Sequence, residues 1–200
     1  ADRGQRCPVN MYATKKDGYE WMSLDDFEEM LPDKPADQKW ELINGRVIRA
    51  MVGARWEHHV IIDNMSRAIG NHFEKKGMPC RVYRETFYLK ERRQDLAALP
   101  DLMIHCGKPA PGATSFNDPL VLVEVMSPGS EMRDRLEKRV AYQQLPSLQS
   151  YVLVGRDMPY VEVFDRQGDS FVTRPTLTTL DAALKLPAIE FEMPLSAIYR

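Results

Sequence analysis

The segment LVLVEVMSP, residues 120–128, is a run of large apolar side chains that is interrupted once, by Glu124, and is closed by Ser127 and Pro128. Side chains alternate between the two faces of a strand, so Glu124 shares its face with Leu122 and Met126. Both faces are apolar, which is typical of a central strand. Burying an unpaired carboxylate there costs on the order of several kcal/mol. We therefore predict that a cation, a hydrogen-bond network or a raised pKa accompanies Glu124.

The sequence on either side of this segment alternates between strand and helix patterns. Asn44-Gly45 is a strong hairpin signal. Hydrophobic periodicity predicts helices at residues 24–31, 58–75 and 131–145, and further strands at residues 80–90, 100–106, 150–154, 160–164 and 170–174. Ser23 and Ser130 are the expected caps of the first and third helices, and Gly77 the expected stop of the second. This order predicts an α/β domain with a mixed sheet between helices.

Composition limits the class of protein. The 200 residues, 44% of them hydrophobic, fit one globular domain, and no apolar run is long enough to span a membrane. The near balance of 27 basic and 29 acidic side chains counts against DNA binding except through a local basic patch. Cys7, Cys80 and Cys106 lack C-x-x-C spacing, so we expect free thiols, and without a secretion signal a cytoplasmic location. We expect residues 1–18 to be a leader or a disordered N-terminus, and residues 19–200 a single domain.

A second carboxylate, Asp101, begins the strand that precedes the central one, directly after a proline in LPDLMI. If the two strands are neighbours, Asp101 and Glu124 converge on one point. Paired carboxylates on adjacent strands suit Mg²⁺ or Mn²⁺, which prefer octahedral oxygen coordination and keep several waters. The two acids alone give a weak prediction of a metal site.

The helix that follows Glu124 strengthens this prediction. Asp134, Lys138 and Tyr142 are spaced at i, i+4 and i+8, so they share one face of that helix, and Lys138 is expected to lie toward the sheet. An ammonium group beside two metal-binding carboxylates can orient a metal-bound water and stabilise charge on a phosphoryl group. This combination is what metal-assisted phosphodiester hydrolysis needs.

At these positions the sequence resembles the PD-(D/E)XK nuclease superfamily, and within it the bacterial Uma family of restriction-endonuclease-like proteins. By position, Asp101 matches the acid of the PD element and Glu124 the (D/E) acid. Glu41 matches an additional upstream acid, and His58 the histidine that opens the first long helix. The resemblance runs in order through WELINGRVI, EHHVIIDNM, LPDLMI, LVEVMSPGS, RDRLEKRVAYQQ and SYVLV.

One position departs from the superfamily pattern, which places lysine two residues after the strand acid. That residue is Met126 in this chain, and the Uma-type pattern instead takes a lysine from the next helix, which is Lys138 here. The resemblance implies a restriction-endonuclease-like mixed β-sheet flanked by α-helices, and hydrolysis of DNA with Mg²⁺ or Mn²⁺ and no organic cofactor. Cleavage of both strands of a duplex favours two sites, so a homodimer is expected. It also implies that Asp101, Glu124 and the carbonyl of Val125 bind the metal.

The same residues have structural alternatives. Glu124 could be a core acid satisfied by an arginine or by backbone amides, and Asp101 a turn residue after proline. Asp134 and Lys138 could form a solvated ion pair, Glu41 could face water, and Tyr142 could be a core residue.

Two rival functions also remain open. A nuclease-fold module without turnover, for DNA binding or interaction, is suggested by Met126. A structural protein with arginine-paired acids is suggested by the near-neutral charge.

Overall fold

The structure is a computed structural model and describes residues 14–16 and 18–200. Its α-helices are α1 (Leu24–Met30), α2 (Trp56–Lys76), α3 (Arg139–Gln143) and α4 (Leu195–Ile198). A π-helical segment, Arg133–Lys138, runs directly into α3, and short 3₁₀ turns lie at Leu31–Asp33, Arg92–Gln94 and Pro187–Ile189. The strands are β1 (Thr14–Lys16), β2 (Tyr19–Trp21), β3 (Gln38–Ile43), β4 (Arg46–Met51), β5 (Cys80–Arg84), β6 (Tyr88–Glu91), β7 (Leu96–Ala98), β8 (Leu102–Cys106), β9 (Ser115–Phe116), β10 (Val121–Met126), β11 (Ser150–Gly155), β12 (Val161–Gln167), β13 (Ser170–Thr173), β14 (Ala183–Leu186) and β15 (Phe191–Pro194).

Local sequence signals account for the ends of several elements. The Ser23 hydroxyl oxygen accepts the Asp26 N–H at 3.1 Å and so caps α1 as expected. Asn44 and Gly45 have φ values of 51° and 81°, the left-handed conformation that a two-residue hairpin requires between β3 and β4. Gly77 ends α2 with φ 65°. The expected strand at residues 80–90 is instead two strands, β5 and β6, separated by a turn.

The chain divides into two compact units, of which the first contains the described residues up to Val52 together with Glu91–Ala98. Within it the strands pair in the order β1-β2-β4-β3-β7. Glu41 lies in β3 opposite Ile48 of β4 and is only 3% exposed, so the alternative that it faces water is wrong. The expectation of one domain over residues 19–200 stays a prediction. The residues before Thr14 in the expected leader lie outside the described part of the chain.

The second unit, Gly53–Lys90 and Leu99–Arg200, is built on a sheet of order β13-β12-β11-β10-β8-β5. Strand β10 is parallel to β11 and antiparallel to β8, which confirms the expected mixed sheet. Val121, Val123 and Val125 pack in one core with the inner face of α2, so this face of β10 is covered by a helix. The opposite face of β10 carries Glu124.

Two cysteines correct a sequence-based expectation. Cys80 in β5 and Cys106 in β8 face each other in the antiparallel register, with Cα atoms 3.9 Å apart, and form a disulfide. The prediction of free thiols is therefore wrong for this pair, because strand pairing joins residues that are 26 positions apart in the sequence. Cys7 lies outside the described residues. None of the helices in the described ranges is long and apolar enough to cross a membrane.

Candidate active site

Asp101 and Glu124 come from neighbouring strands of the second unit. The antiparallel register pairs Val123 of β10 with Leu102 of β8, so Glu124 and Asp101 occupy the next position along the two strands. Both side chains are buried, with exposures of 3% for Glu124 and 5% for Asp101. The Asp101 carboxylate accepts the backbone N–H of Val125 at 2.7 Å. The two acids therefore occupy neighbouring positions on adjacent strands, which meets the condition that the sequence analysis set for their convergence.

Glu124 is satisfied by two side chains from the helical segment that follows β10, residues 131–143, called here the site helix. Lys138 Nζ donates to Glu124 Oε1 at 2.8 Å, and Tyr142 donates its hydroxyl proton to the same oxygen at 3.0 Å. Lys138 is 1% exposed and Tyr142 is fully buried. The lysine thus lies toward the sheet as expected, and Tyr142 contacts the acid rather than only packing in the core.

Asp134 extends this charged cluster. Its Oδ1 lies 3.6 Å from Lys138 Nζ, and among the described residues this buried oxygen accepts no hydrogen bond. Tyr151 donates to the Asp134 backbone carbonyl at 2.9 Å, and burial, together with the nearby negative charge of Glu124, raises the pKa of Tyr151 well above its usual value. Because Asp134 and Lys138 are 2% and 1% exposed, the alternative of a solvated surface pair is wrong.

The site helix is not a regular α-helix where it contributes these groups. Residues Arg133–Lys138 are π-helical, and within this segment Asp134 and Lys138 are buried. π-Helical turns are rare and occur frequently at functional sites. The i, i+4 spacing placed Asp134, Lys138 and Tyr142 on one face, but it gave no sign of the wider turn.

His58 lies near the N-terminal end of α2, where its Nε2 is 3.2 Å from Asp101 Oδ2. The same carboxylate oxygen accepts the Val125 N–H, so a donating imidazole and a backbone amide both hold Asp101 in place. Within the described part of the chain, the buried Nδ1 of His58 has no hydrogen-bond partner. The structure therefore places His58 beside the acid, while Glu41 belongs to the first unit and its assignment to the site stays a prediction.

Sequence reasoning missed a second cation at the end of β10. Arg135 Nη1 donates to the Glu162 carboxylate, Arg135 Nη2 lies 3.7 Å from Met126 Sδ, and Tyr160 also donates to Glu162. The hydrogen bond from Arg135 to Glu162 raises the pKa of the guanidinium group. The position that carries lysine in the superfamily pattern is therefore occupied by a thioether in contact with a fixed arginine.

The donor chemistry at Asp101 and Glu124 fits a hard divalent cation. No cluster of three or more His, Cys, Asp or Glu side chains suitable for a metal occurs among the described residues. Mg²⁺ and Mn²⁺ do not need such a cluster, since Mg²⁺ is usually held by one or two carboxylates and keeps several waters. The N–H and C=O of one strand residue point to the same neighbouring strand, so the Val125 carbonyl is directed to the side on which Asp101 lies.

Comparisons with known proteins agree with this fold. A family model described as "Uma2: Putative restriction endonuclease" matches residues 24–196. A Synechocystis protein named "Uncharacterized protein slr1290" is 27% identical over 164 residues, which are 82% of this chain and 84% of that protein. A crystal structure from Anabaena variabilis, described as a "putative nuclease belonging to DUF820", matches with a TM-score of 0.72 and 18% identity. The match covers 89% of this chain and 97% of that one, and at this identity it shows a shared fold.

Proposed function

The chain belongs to the Uma2 family of restriction-endonuclease-like proteins, and on this premise we propose that it is a nuclease that hydrolyses phosphodiester bonds in DNA with Mg²⁺ or Mn²⁺. The family and the shared nuclease fold support a nuclease-like function. Metal dependence, DNA as the substrate and endonucleolytic cleavage are our proposals. The observation that carries them is the buried pair of Lys138 and Glu124 beside Asp101.

The free-energy cost of burying the Lys138–Glu124 ion pair supports the proposal. A buried ion pair gains little over apolar side chains of the same size, so burial of this pair is weak evidence for a stabilising role. Here Glu124 within β10, Asp101 directly before β8 and the ammonium of Lys138 on the site helix are all buried, and buried ionisable groups near one another are enriched at functional sites.

Each residue has a proposed task. Asp101, Glu124 and the Val125 carbonyl hold the cation, which when bound lowers the pKa of a water molecule and polarises the phosphate. Lys138 orients the attacking water and neutralises charge on the phosphate, and His58 fixes the rotamer of Asp101 through its Nε2.

Glu41 is proposed as a further acid of this site, acting through water or a second cation. This assignment comes from its match to the upstream acid of the family pattern.

Cleavage of both strands of a duplex favours two copies of the site, so the proposal includes a homodimer. The proposed compartment is the cytoplasm, because the proposed substrate is DNA. Free thiols would have supported this location, but Cys80 and Cys106 form a disulfide and therefore do not support it.

Calorimetric titration of Mn²⁺ into the metal-free protein tests the site without a choice of substrate. We expect binding by the wild type, and loss of binding in Asp101→Ala and in Glu124→Gln. Glu192→Gln is the matched control, since Glu192 is a carboxylate in β15 with an exposed side chain. Circular dichroism and urea unfolding of each variant show that loss of binding is not loss of fold.

A nuclease assay then separates turnover from binding. Supercoiled plasmid with Mg²⁺ or Mn²⁺ should be nicked or cut by the wild type and by Glu192→Gln, and left intact by Glu124→Gln. A folded wild type that binds no Mn²⁺, even with DNA present, contradicts the proposal. If the protein binds metal and DNA but forms no cleavage products, the alternative of an inactive DNA-binding module, suggested by Met126, is favoured instead.

A further inference from the structure

Asp134 carries a buried carboxylate oxygen to which the proposed reaction gives no task. Its side chain is 3% exposed, and within the described part of the chain its Oδ1 accepts no hydrogen bond. Two cations lie just beyond hydrogen-bond distance of this oxygen, Lys138 Nζ at 3.6 Å and Arg133 Nε at 3.8 Å. Most buried polar side-chain atoms in folded proteins have a hydrogen-bond partner, so this oxygen requires an explanation.

The ammonium of Lys138 has to change its contact when the acid beside it loses its charge. In the structure Nζ donates to Glu124 Oε1 at 2.8 Å, and Tyr142 donates to the same oxygen. If Glu124 holds a divalent cation, its charge no longer balances the ammonium, and two cations on one carboxylate repel each other. Because the Lys138 side chain is 2% exposed, the ammonium has little access to water at this place. It therefore requires a buried acid as its next partner.

Asp134 is placed to be this partner. Hydrogen bonds between an ammonium and a carboxylate are about 2.7–2.9 Å long, so Nζ has to move by only about 1 Å to reach Oδ1. Asp134 and Lys138 lie one turn apart on the same helix, and rotation within the flexible lysine stem gives this shift without movement of the backbone. Tyr151 donates to the Asp134 backbone carbonyl at 2.9 Å and holds this turn against the sheet. Arg133 is partly exposed, so water solvates part of its charge.

We propose that Asp134 is a positioning residue, which receives the ammonium of Lys138 when the charge of Glu124 is neutralised, as by a bound divalent cation. The inference rests on the proposed function for the cation, and on the contacts of the site helix for the second position of the lysine. In the first position Lys138 balances Glu124 and occupies an oxygen that a cation would use. In the second position Asp134 keeps the ammonium inside the site, where it is available to the attacking water.

Crystal structures locate the ammonium directly. We expect Lys138 Nζ within about 3 Å of Asp134 Oδ1 in the wild type with Mn²⁺, and on Glu124 without it. A metal-free variant that carries both Asp101→Asn and Glu124→Gln lacks the charges of both proposed acidic ligands, so its Lys138 should also lie on Asp134. The inference is overturned if Lys138 stays on residue 124 in either structure, or if Asp134 pairs with Arg133 instead.

Calorimetric titration of Mn²⁺ tests whether Asp134 acts through Lys138. Asp134→Asn removes the charge that receives the ammonium, so Lys138 stays on Glu124 and competes with Mn²⁺. In a Lys138→Met background no ammonium has to move. Asp134→Asn should therefore lower the Mn²⁺ affinity by a factor about tenfold larger with Lys138 present than in this background. Equal factors in the two backgrounds show a general charge or structural effect and overturn the inference.

The matched control for this titration is Asp169→Asn. Asp169 is an exposed aspartate in the turn between β12 and β13, and its loss should leave the Mn²⁺ affinity at the wild-type value. Circular dichroism and urea unfolding of each variant distinguish a lost affinity from a lost fold.

The metal-free double variant separates this inference from the proposed function. If the folded wild type binds no Mn²⁺, the nuclease proposal is overturned, and the position of Lys138 in the double variant alone decides the inference. If the wild type binds Mn²⁺ while Lys138 stays on Glu124, the nuclease proposal stands and the inference about Asp134 is wrong.

Discussion

Replacing Lys138 by methionine should destabilise the protein far more than loss of a surface lysine. Methionine keeps most of the apolar length of the side chain but removes the ammonium that donates to Glu124 at 2.8 Å. Glu124 then remains buried, with Tyr142 still donating to it but without the cation that balances its charge. Removing one partner of a buried ion pair leaves an uncompensated charge.

The geometry sets the size of the effect. Two unit charges 2.8 Å apart attract by about 6 kcal/mol at an effective dielectric constant of about 20. Desolvation of both groups offsets part of this attraction, and losing one partner of such pairs costs about 3–5 kcal/mol. We therefore expect Lys138→Met to lower the free energy of unfolding by about 3–5 kcal/mol. Adding Glu124→Gln to Lys138→Met should recover about 2 kcal/mol of this loss, because the buried carboxylate nearest to the lost ammonium is gone and Tyr142 keeps an acceptor, while Asp134 remains buried.

Urea unfolding at neutral pH, followed by circular dichroism, measures these differences. Lys185→Met is the matched control, because Lys185 Nζ lies 3.4 Å from Glu192 Oε1 on the surface, with side chains that are 61% and 56% exposed. Loss of this surface ion pair should lower the free energy of unfolding by less than about 1 kcal/mol. Equal effects of the two lysine substitutions would refute the reasoning, and so would a double variant no more stable than Lys138→Met. Mn²⁺ should restore part of the stability of Lys138→Met but none in Glu124→Gln, because the cation replaces the lost positive charge beside Glu124.

Three further substitutions have defined expectations. Tyr142→Phe removes a buried hydrogen bond to Glu124 and should lower the free energy of unfolding, in the same urea assay, by about 1.5–3 kcal/mol. Gly45→Ala adds a Cβ to a residue with φ 81°, and this Cβ lies 3.3 Å from the Met22 carbonyl oxygen. The substitution should therefore lower the free energy of unfolding by about 1–2 kcal/mol. Cys80→Ser opens a disulfide across 26 residues and should cost about 3 kcal/mol under oxidising conditions. A thiol reductant should then destabilise the wild type but not this last variant.

The parts of the fold that local sequence fixes were predicted well. The central strand β10 was predicted from its apolar faces, and the hairpin between β3 and β4 from Asn44-Gly45, because each depends on neighbours within a few residues. That Glu124 and Lys138 face each other also follows from the alternation of side chains along the strand and from the residue spacing along the helix. These signals were enough to bring together the centre of the candidate site.

The features that were missed depend on contacts distant in sequence. The disulfide depends on the register of β5 against β8, which neither strand specifies alone. The hairpin of β14 and β15 was not predicted because its strands have four residues each, although Phe191 and Met193 are buried and Glu192 between them is exposed. The role of Arg135 arises from its pairing with Glu162, a residue of a strand far along the chain. Tertiary contacts, rather than local preference, decide such features.

The same arginine bears on the proposal that Lys138 of the site helix takes the place of the strand lysine. A lysine at position 126 would place an ammonium group next to the guanidinium of Arg135, which now lies 3.7 Å from Met126 Sδ and is held by Glu162. Two cations at that distance repel each other. We therefore expect Met126→Lys not to restore Mn²⁺-dependent cleavage to Lys138→Met, and to make it less stable in urea unless Arg135→Leu is added. If Met126→Lys restores cleavage to Lys138→Met while Arg135 is unchanged, the strand position accepts a lysine. In that case Arg135 does not determine whether the lysine lies on the strand or on the helix.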